Sequence, residues 1–265
     1  MGIFAIANNK GGIGKTTSVI NIGAALTKFD KKVLLVDFDP QANLSKSLGF
    51  RECTNTLTDV ILQGKRLKVE NFSDNLHVLP ATMALTRVEQ QLDPAQGDHH
   101  VLKEILQSIE TDFDVILIDC PPALNILTTS ALTAATHLLI PVQAEFLALE
   151  GLASFYDAIK KIQKRINTNL EIGGMFVTRY DQRKVLNRHV LETLSERFSE
   201  YLLPTAVREN ITLAEAPVNR TDVFTYAPKS YGAEDYQMLA RDILHKLEES
   251  TVAEPKAIKE LDYKK

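Results

Sequence analysis

The sequence predicts an α/β fold of three layers, with a doubly wound, mostly parallel sheet between two layers of helices. Three observations predict it. Short β-branched runs alternate with longer segments of helical periodicity along most of the chain. The short runs are apolar on both faces, as strands are when helices cover each side of the sheet. The first run passes directly into a glycine-rich loop and then a helix.

Ile3–Ala7 reads as the first strand, because five apolar residues follow one another without a polar break. Lys32–Val36, Leu76–Leu79, Val115–Ile118, His137–Val142 and Ile172–Val177 read as further strands, with Leu202–Val207 a weaker last one. Helical periodicity covers Lys15–Lys28, His99–Ser108, Thr128–Ala135, Leu149–Arg165, Lys184–Glu200 and Ala233–Glu249. In open α/β sheets ligands bind beyond the carboxyl ends of the strands, so chemistry is sought just after each run. Residues 1–250 read as a single domain, and 251–265, polar and broken by Pro255, as a mobile or accessory tail.

Composition removes several classes of function. The chain has 265 residues, 45% hydrophobic and 24% charged, which is ordinary for a globular protein and excludes collagen-like and disordered chains. Thirty Lys and Arg against 34 Asp and Glu give a net charge of −4, so binding to nucleic acid would have to use a local basic patch. No apolar stretch is long enough for a membrane-spanning helix, and the start lacks the basic segment and cleavage site of a secretion signal. Cys53 and Cys120 are too few for a disulfide framework and read as ordinary thiols. The adjacent His99 and His100 read as a solvated pair rather than a chelate. A cytosolic protein is expected.

The loop after the first run is Asn9-Lys10-Gly11-Gly12-Ile13-Gly14-Lys15-Thr16-Thr17. Glycines let successive backbone N–H groups curl around phosphate oxygens, and a helix N-terminus adds its dipole. Lys15 is placed to reach the β- and γ-phosphates, and the Thr16 hydroxyl to ligate Mg²⁺. The general pattern G-x-x-x-x-G-K-[ST] fails at its first position, Asn9, but the strand–loop–helix context is present.

Residues Lys10 to Thr17 resemble the deviant Walker A motif of the ParA/MinD ATPases, whose mark is a second lysine near the start of the loop. The resemblance implies a P-loop ATPase with ATP and Mg²⁺ as cofactors. It makes Gly11, Gly12, Ile13, Gly14, Lys15, Thr16 and Thr17 nucleotide-binding. It also makes Lys10 a cation that reaches the partner's nucleotide across an ATP-dependent homodimer, much as an arginine finger does. Asp37-Phe38-Asp39-Pro40-Gln41 is similar to the family's D-x-D-P-Q segment, which implies that Asp39 activates the attacking water and that Asp37 lies near the metal. Asp119 in Val115-Ile116-Leu117-Ile118-Asp119-Cys120-Pro121-Pro122 resembles Walker B and would hold Mg²⁺ through water. Further likenesses extend over about residues 1–247. They place Glu145, Phe146, Thr178, Arg179, Arg208 and Asn210 near the nucleotide.

The first strand begins at residue 3, so the likeness is to the small ParA type without an N-terminal helix-turn-helix domain. That type implies nonspecific DNA binding on the nucleoid and a ParB-like or cargo adaptor that stimulates hydrolysis. The cargo would be a plasmid, a chromosome or a protein compartment. Arg183 matches a family arginine that binds DNA, and Lys184, Arg188 and Lys229 are further candidates. Two family arginines are missing, because Thr212 and Glu209 stand in their places. Lys160, Lys161, Lys164, Arg165, Arg220 and the tail lysines are other basic groups that could compensate. The tail lacks a basic amphipathic pattern, so the chain is not expected to bind membrane. A MinD-like membrane ATPase and a metabolic or metallocluster P-loop enzyme are the alternatives.

Overall fold

A computed structural model describes residues 2–252, apart from the side chains of 146–148, 150 and 249–252. Its strands are β1 (Gly2–Ile6), β2 (Val33–Asp37), β3 (Glu70–Ser73), β4 (Leu76–Leu79), β5 (Val115–Asp119), β6 (His137–Gln143) and β7 (Glu171–Thr178). They form one sheet in the order β3-β4-β2-β5-β1-β6-β7. Every neighbouring pair is parallel except β3 with β4.

The helices are α1 (Lys15–Thr27), α2 (Asn43–Ser47), α3 (Leu57–Gln63), α4 (Leu85–Gln91), α5 (Val101–Gln107), α6 (Ile126–Ala134), α7 (Phe146–Arg165), α8 (Val185–Arg197), α9 (Thr212–Glu215), α10 (Val223–Tyr226) and α11 (Tyr231–Val252). The period of two along each central strand divides the core between the two faces. Ile3, Ala5, Leu34, Val36, Ile116 and Ile118 pack on one face with residues of α4 to α8. Phe4, Ile6, Val33, Leu35, Val115 and Leu117 pack on the other with residues of α1 and α11. The buried Ser18 and Tyr236 hydroxyls, 3.0 Å apart, link α1 to α11.

Three sequence expectations need correction. Leu202–Val207 is not a strand, although it runs beside β7. The Leu203 amide donates to the Met175 carbonyl, the Met175 amide donates to Tyr201, and Val207 donates to Val177, but between them Pro204 has no N–H and the Thr205 amide turns to Asp242. β3 was not expected, because its Glu70-Asn71-Phe72-Ser73 is mostly polar, as an edge strand can be. His99 and His100 are half-buried with their rings 4.3 Å apart, so they are not simply solvated. Of the tail, 253–265 lies outside the described residues.

The passage of 202–207 along β7 depends on Gly174. A Cβ built there would lie 2.7 Å from the Leu203 side chain. Gly174→Ala should therefore destabilise the protein by about 1–3 kcal/mol through overpacking, read as a lower midpoint in urea. An unchanged midpoint would show that this segment yields freely.

Candidate functional site

The carboxyl ends of β1, β2 and β5 lie side by side, since Ile6 and Asp37 both register with Asp119. This brings the loop after β1, the turn after β2 and the turn after β5 to one place. Gly12 and Gly14 have φ of +73° and +90°, which residues with a Cβ rarely adopt. They let the loop turn back before α1 starts at Lys15. Asn8, buried beneath it, donates to the Pro141 carbonyl at 2.8 Å and accepts from the Lys10 amide.

The two loop lysines are in opposite surroundings. Lys15 is buried and folds inward, its Nζ donating to the carbonyls of Lys10 at 2.9 Å and Asn8 at 3.4 Å. Burial lowers its pKa, opposed first by the nearby Asp119 carboxylate. Lys10 points away from the loop interior and pairs with Glu145 at 2.8 Å, both side chains being partly exposed. Glu145 also accepts from the Gln143 amide at 2.7 Å.

Asp119 is fully buried, and neither of its carboxylate oxygens has a hydrogen-bond partner in the chain. Its pKa is raised well above the carboxylate range, first by burial and then by the charge of Asp37. The Thr16 hydroxyl favours its charged form from outside hydrogen-bond geometry. Asp37, also fully buried, is raised to about 6 by burial, and Ser45 opposes the shift. It accepts from the Ser45 amide at 2.8 Å and hydroxyl at 2.6 Å, and from the Asp39 amide. Asp39 is buried at the turn and accepts from the Gln41 amide at 2.8 Å. A buried carboxylate left without donors is costly unless a cation meets it. Asp119, Asp37 and Thr16 are oxygen donors of the kind magnesium takes, so the residues fit that ion.

Beside the loop lies a cavity of about 440 Å³, lined among others by Gly12, Thr17, Arg179, Glu209, Asn210 and Tyr236. Thr178 and Arg208 line it as well. The Thr178 hydroxyl donates to the Ile13 carbonyl at 2.9 Å, joining β7 to the phosphate loop. Arg208 is anchored by the buried Asp235 and by Glu234, and it lies 4.1 Å over the Tyr231 ring. The Asn210 side-chain Oδ1 accepts from the Thr212 amide and hydroxyl. Glu145 faces Lys10 and is not part of this lining, and the Phe146 side chain lies outside the described residues.

The comparisons bear on the family and the fold. A family model described as an AAA domain matches residues 1–172. The sporulation initiation inhibitor protein Soj of Bacillus subtilis is 40% identical over 250 residues, 91% of this chain and 97% of that one. The chromosome-partitioning ATPase Soj of Treponema pallidum is 40% identical over 89% of this chain and 94% of its own. This chain belongs to the ParA/Soj family of deviant Walker A ATPases. A Mycobacterium smegmatis structure, named cobyrinic acid a,c-diamide synthase, holds ADP and magnesium. It superposes with a TM-score of 0.80 at 32% identity, covering 94% of this chain and 96% of that one. The protein is thus a ParA/Soj-type ATPase with the P-loop fold.

The sequence reading missed Ser45, Tyr236 and Asp235. Ser45 follows the Asp37–Gln41 segment closely enough to have been found as the next donor along the turn. Tyr236 and Asp235 had no local signal, because they reach the site from α11. The basic candidates divide. Arg183 and Lys184 lie in the turn before α8 and Arg188 in its first turn, whereas Lys229 is exposed in the turn before α11. No helix among the described residues is long and apolar enough to cross a membrane.

Ser45→Ala removes the hydroxyl donor from a buried carboxylate and the acceptor of the Ala81 amide, while the backbone amide at 45 still donates. It should lower unfolding free energy by about 1–3 kcal/mol in magnesium-free buffer, measured by denaturant titration. Equal stability would mean that another donor replaces it.

Proposed function

We propose that the chain is an ATP-dependent dimerising switch that binds nonspecific DNA on the nucleoid and positions a cargo through an adaptor of the ParB kind. The observation that carries the reading is the contrast between the two loop lysines. One lysine already fills the phosphate loop from within, whereas the second is held by a partly exposed pair to Glu145, which it can exchange for a nucleotide in another copy. A cation supplied across a dimer makes nucleotide binding and association mutually dependent.

In this reading the backbone N–H groups of residues 11–17 hold the phosphates, and Lys15 neutralises the β- and γ-phosphate charge. Thr16 and Asp119 would hold Mg²⁺, with Asp37 behind them, and bound Mg²⁺ offsets charge developing on the phosphates. Asp39, at the mouth of the turn, orients the attacking water and takes its proton. Thr178, Arg179, Arg208 and Asn210 form the walls on the base side. Lys10 leaves Glu145 as the second copy arrives. Slow turnover suits such a device, because the nucleotide's role is to set which conformation is populated. DNA contact is assigned to Arg183, Lys184 and Arg188, with Lys229 as an outlying member. The Soj of Treponema pallidum is named for chromosome partitioning, which supports a segregating role.

Asp39→Ala should bind ATP without hydrolysing it, so that size-exclusion chromatography with ATP and Mg²⁺ shows a persistent dimer. Adding Lys10→Ala to that variant should return it to monomer, and a dimer that survives the second substitution would remove the role of Lys10 in trans. Arg183→Glu should weaken binding to a random-sequence duplex in the ATP state and flatten its log K against log salt slope by about 1. A slope equal to that of the unaltered protein would move the DNA contact elsewhere.

A further inference from the structure

The turn between β7 and α8 and the start of α8 carry four cations, and the structure already supplies three of them with an intramolecular anion. Glu209 accepts from Lys184 Nζ at 2.8 Å and from Arg179 at 3.3 Å. Arg183 is paired in two-pronged fashion with Asp181, and Arg188 donates to the Gln182 carbonyl. Glu209 is held in place by its backbone, whose amide donates to the Tyr180 carbonyl at 3.0 Å, while the Tyr180 amide donates to Val207. Arg179 adopts φ of +53°, an uncommon conformation for a residue with a Cβ, and from it reaches Glu209. A carboxylate bridging an arginine and a lysine occupies them as a phosphate oxygen would.

The same segment has a second side. Arg179, Arg208, Glu209, Asn210 and Ile211 all line the cavity beside the phosphate loop. Whatever fills that cavity therefore presses on the segment that carries Glu209. Resting on the DNA-binding reading above, we propose that Glu209 is an internal competitor for DNA phosphate. In the nucleotide-free protein it masks Arg179 and Lys184, and nucleotide in the adjacent cavity shifts the 207–211 segment and releases them. Every ion pair involved is substantially exposed, and exposed pairs are weak enough to be exchanged for a phosphate without a large barrier. The residue that makes this possible is the glutamate standing where the family resemblance leads one to expect arginine.

The test measures anisotropy of a fluorescein-labelled random-sequence duplex over a series of salt concentrations, with and without ATP and Mg²⁺. It compares the unaltered chain, Glu209→Gln, Lys184→Gln and the double variant. Glu209→Gln should bind the duplex about two- to thirtyfold more tightly without nucleotide, with a salt slope steeper by about 2, and should gain little in the ATP state. Compared with Lys184→Gln, the double variant should show only about half of that change in slope, because Arg179 alone is then left to be released. The mask is overturned if Glu209→Gln matches the unaltered chain without nucleotide while the latter still binds with ATP. Its coupling to nucleotide is overturned if the gain is equal in both states. If the unaltered chain fails to bind even with ATP at low salt, the DNA reading itself falls, and the mask with it.

Discussion

The constraint on which this molecule depends is the placing of Asp119, a buried carboxylate with no donor to satisfy it, at the carboxyl end of a central strand. Its neighbour in register, Asp37, is buried as well, so two acids share a site from which water is largely excluded. Lys15 is the buried lysine of the described residues and stands against them, itself disfavoured as a cation by burial. Such a site is unbalanced by itself and becomes balanced by a divalent ion with an anionic ligand. The parallel register of β1, β2 and β5 sets these groups level. The glycine loop leaves space above them, and α1 begins where its dipole faces the same space.

The sequence made the loop and the central strands readable for a physical reason. Strands covered on both faces have unbroken apolar runs, and a phosphate loop needs glycine where φ is positive, as at Gly12 and Gly14. What was misread lies where that logic weakens. Leu202–Val207 has the composition of a strand, but Pro204 and the Asp242 contact interrupt its pairing. The edge strand Glu70–Ser73 is half-solvated, so polar residues suffice and no apolar run marks it. Asp235 and Tyr236 reach the site from α11, and no local pattern in a sequence records a contact between Ser18 and Tyr236 across 218 positions.

The two lysines of the loop show how one segment can hold a fixed charge and a movable one. Lys15 is fixed by burial and by two carbonyls, so moving it would expose those acceptors without replacement. Lys10 is held by one partly exposed pair to Glu145, a kind of contact that contributes about 0–1 kcal/mol. A group bound so weakly can change partner when a stronger anion comes near. The residue type is the same at both positions, and burial alone decides which of them can move.

The same magnitude limits what the acidic partners on the β7–α8 turn can do. A net charge of −4 argues against coating nucleic acid by bulk charge, and two of the turn's three cations share Glu209. If each exposed pair contributes at most about 1 kcal/mol, releasing both changes affinity by no more than roughly thirtyfold. A switch that must leave DNA fully on losing its nucleotide needs more than that. The remainder would come from joining two turns in one dimer, where the second contact is made at a high effective concentration. By linkage, DNA would then strengthen nucleotide binding by the factor through which nucleotide strengthens DNA binding. In the proposed switch a weak mask and a dimer would act in series: the mask would lower monomer affinity and the dimer would multiply what remains. In that arrangement the acidic balance of the chain is an advantage, because an unpaired copy has little reason to stay on DNA.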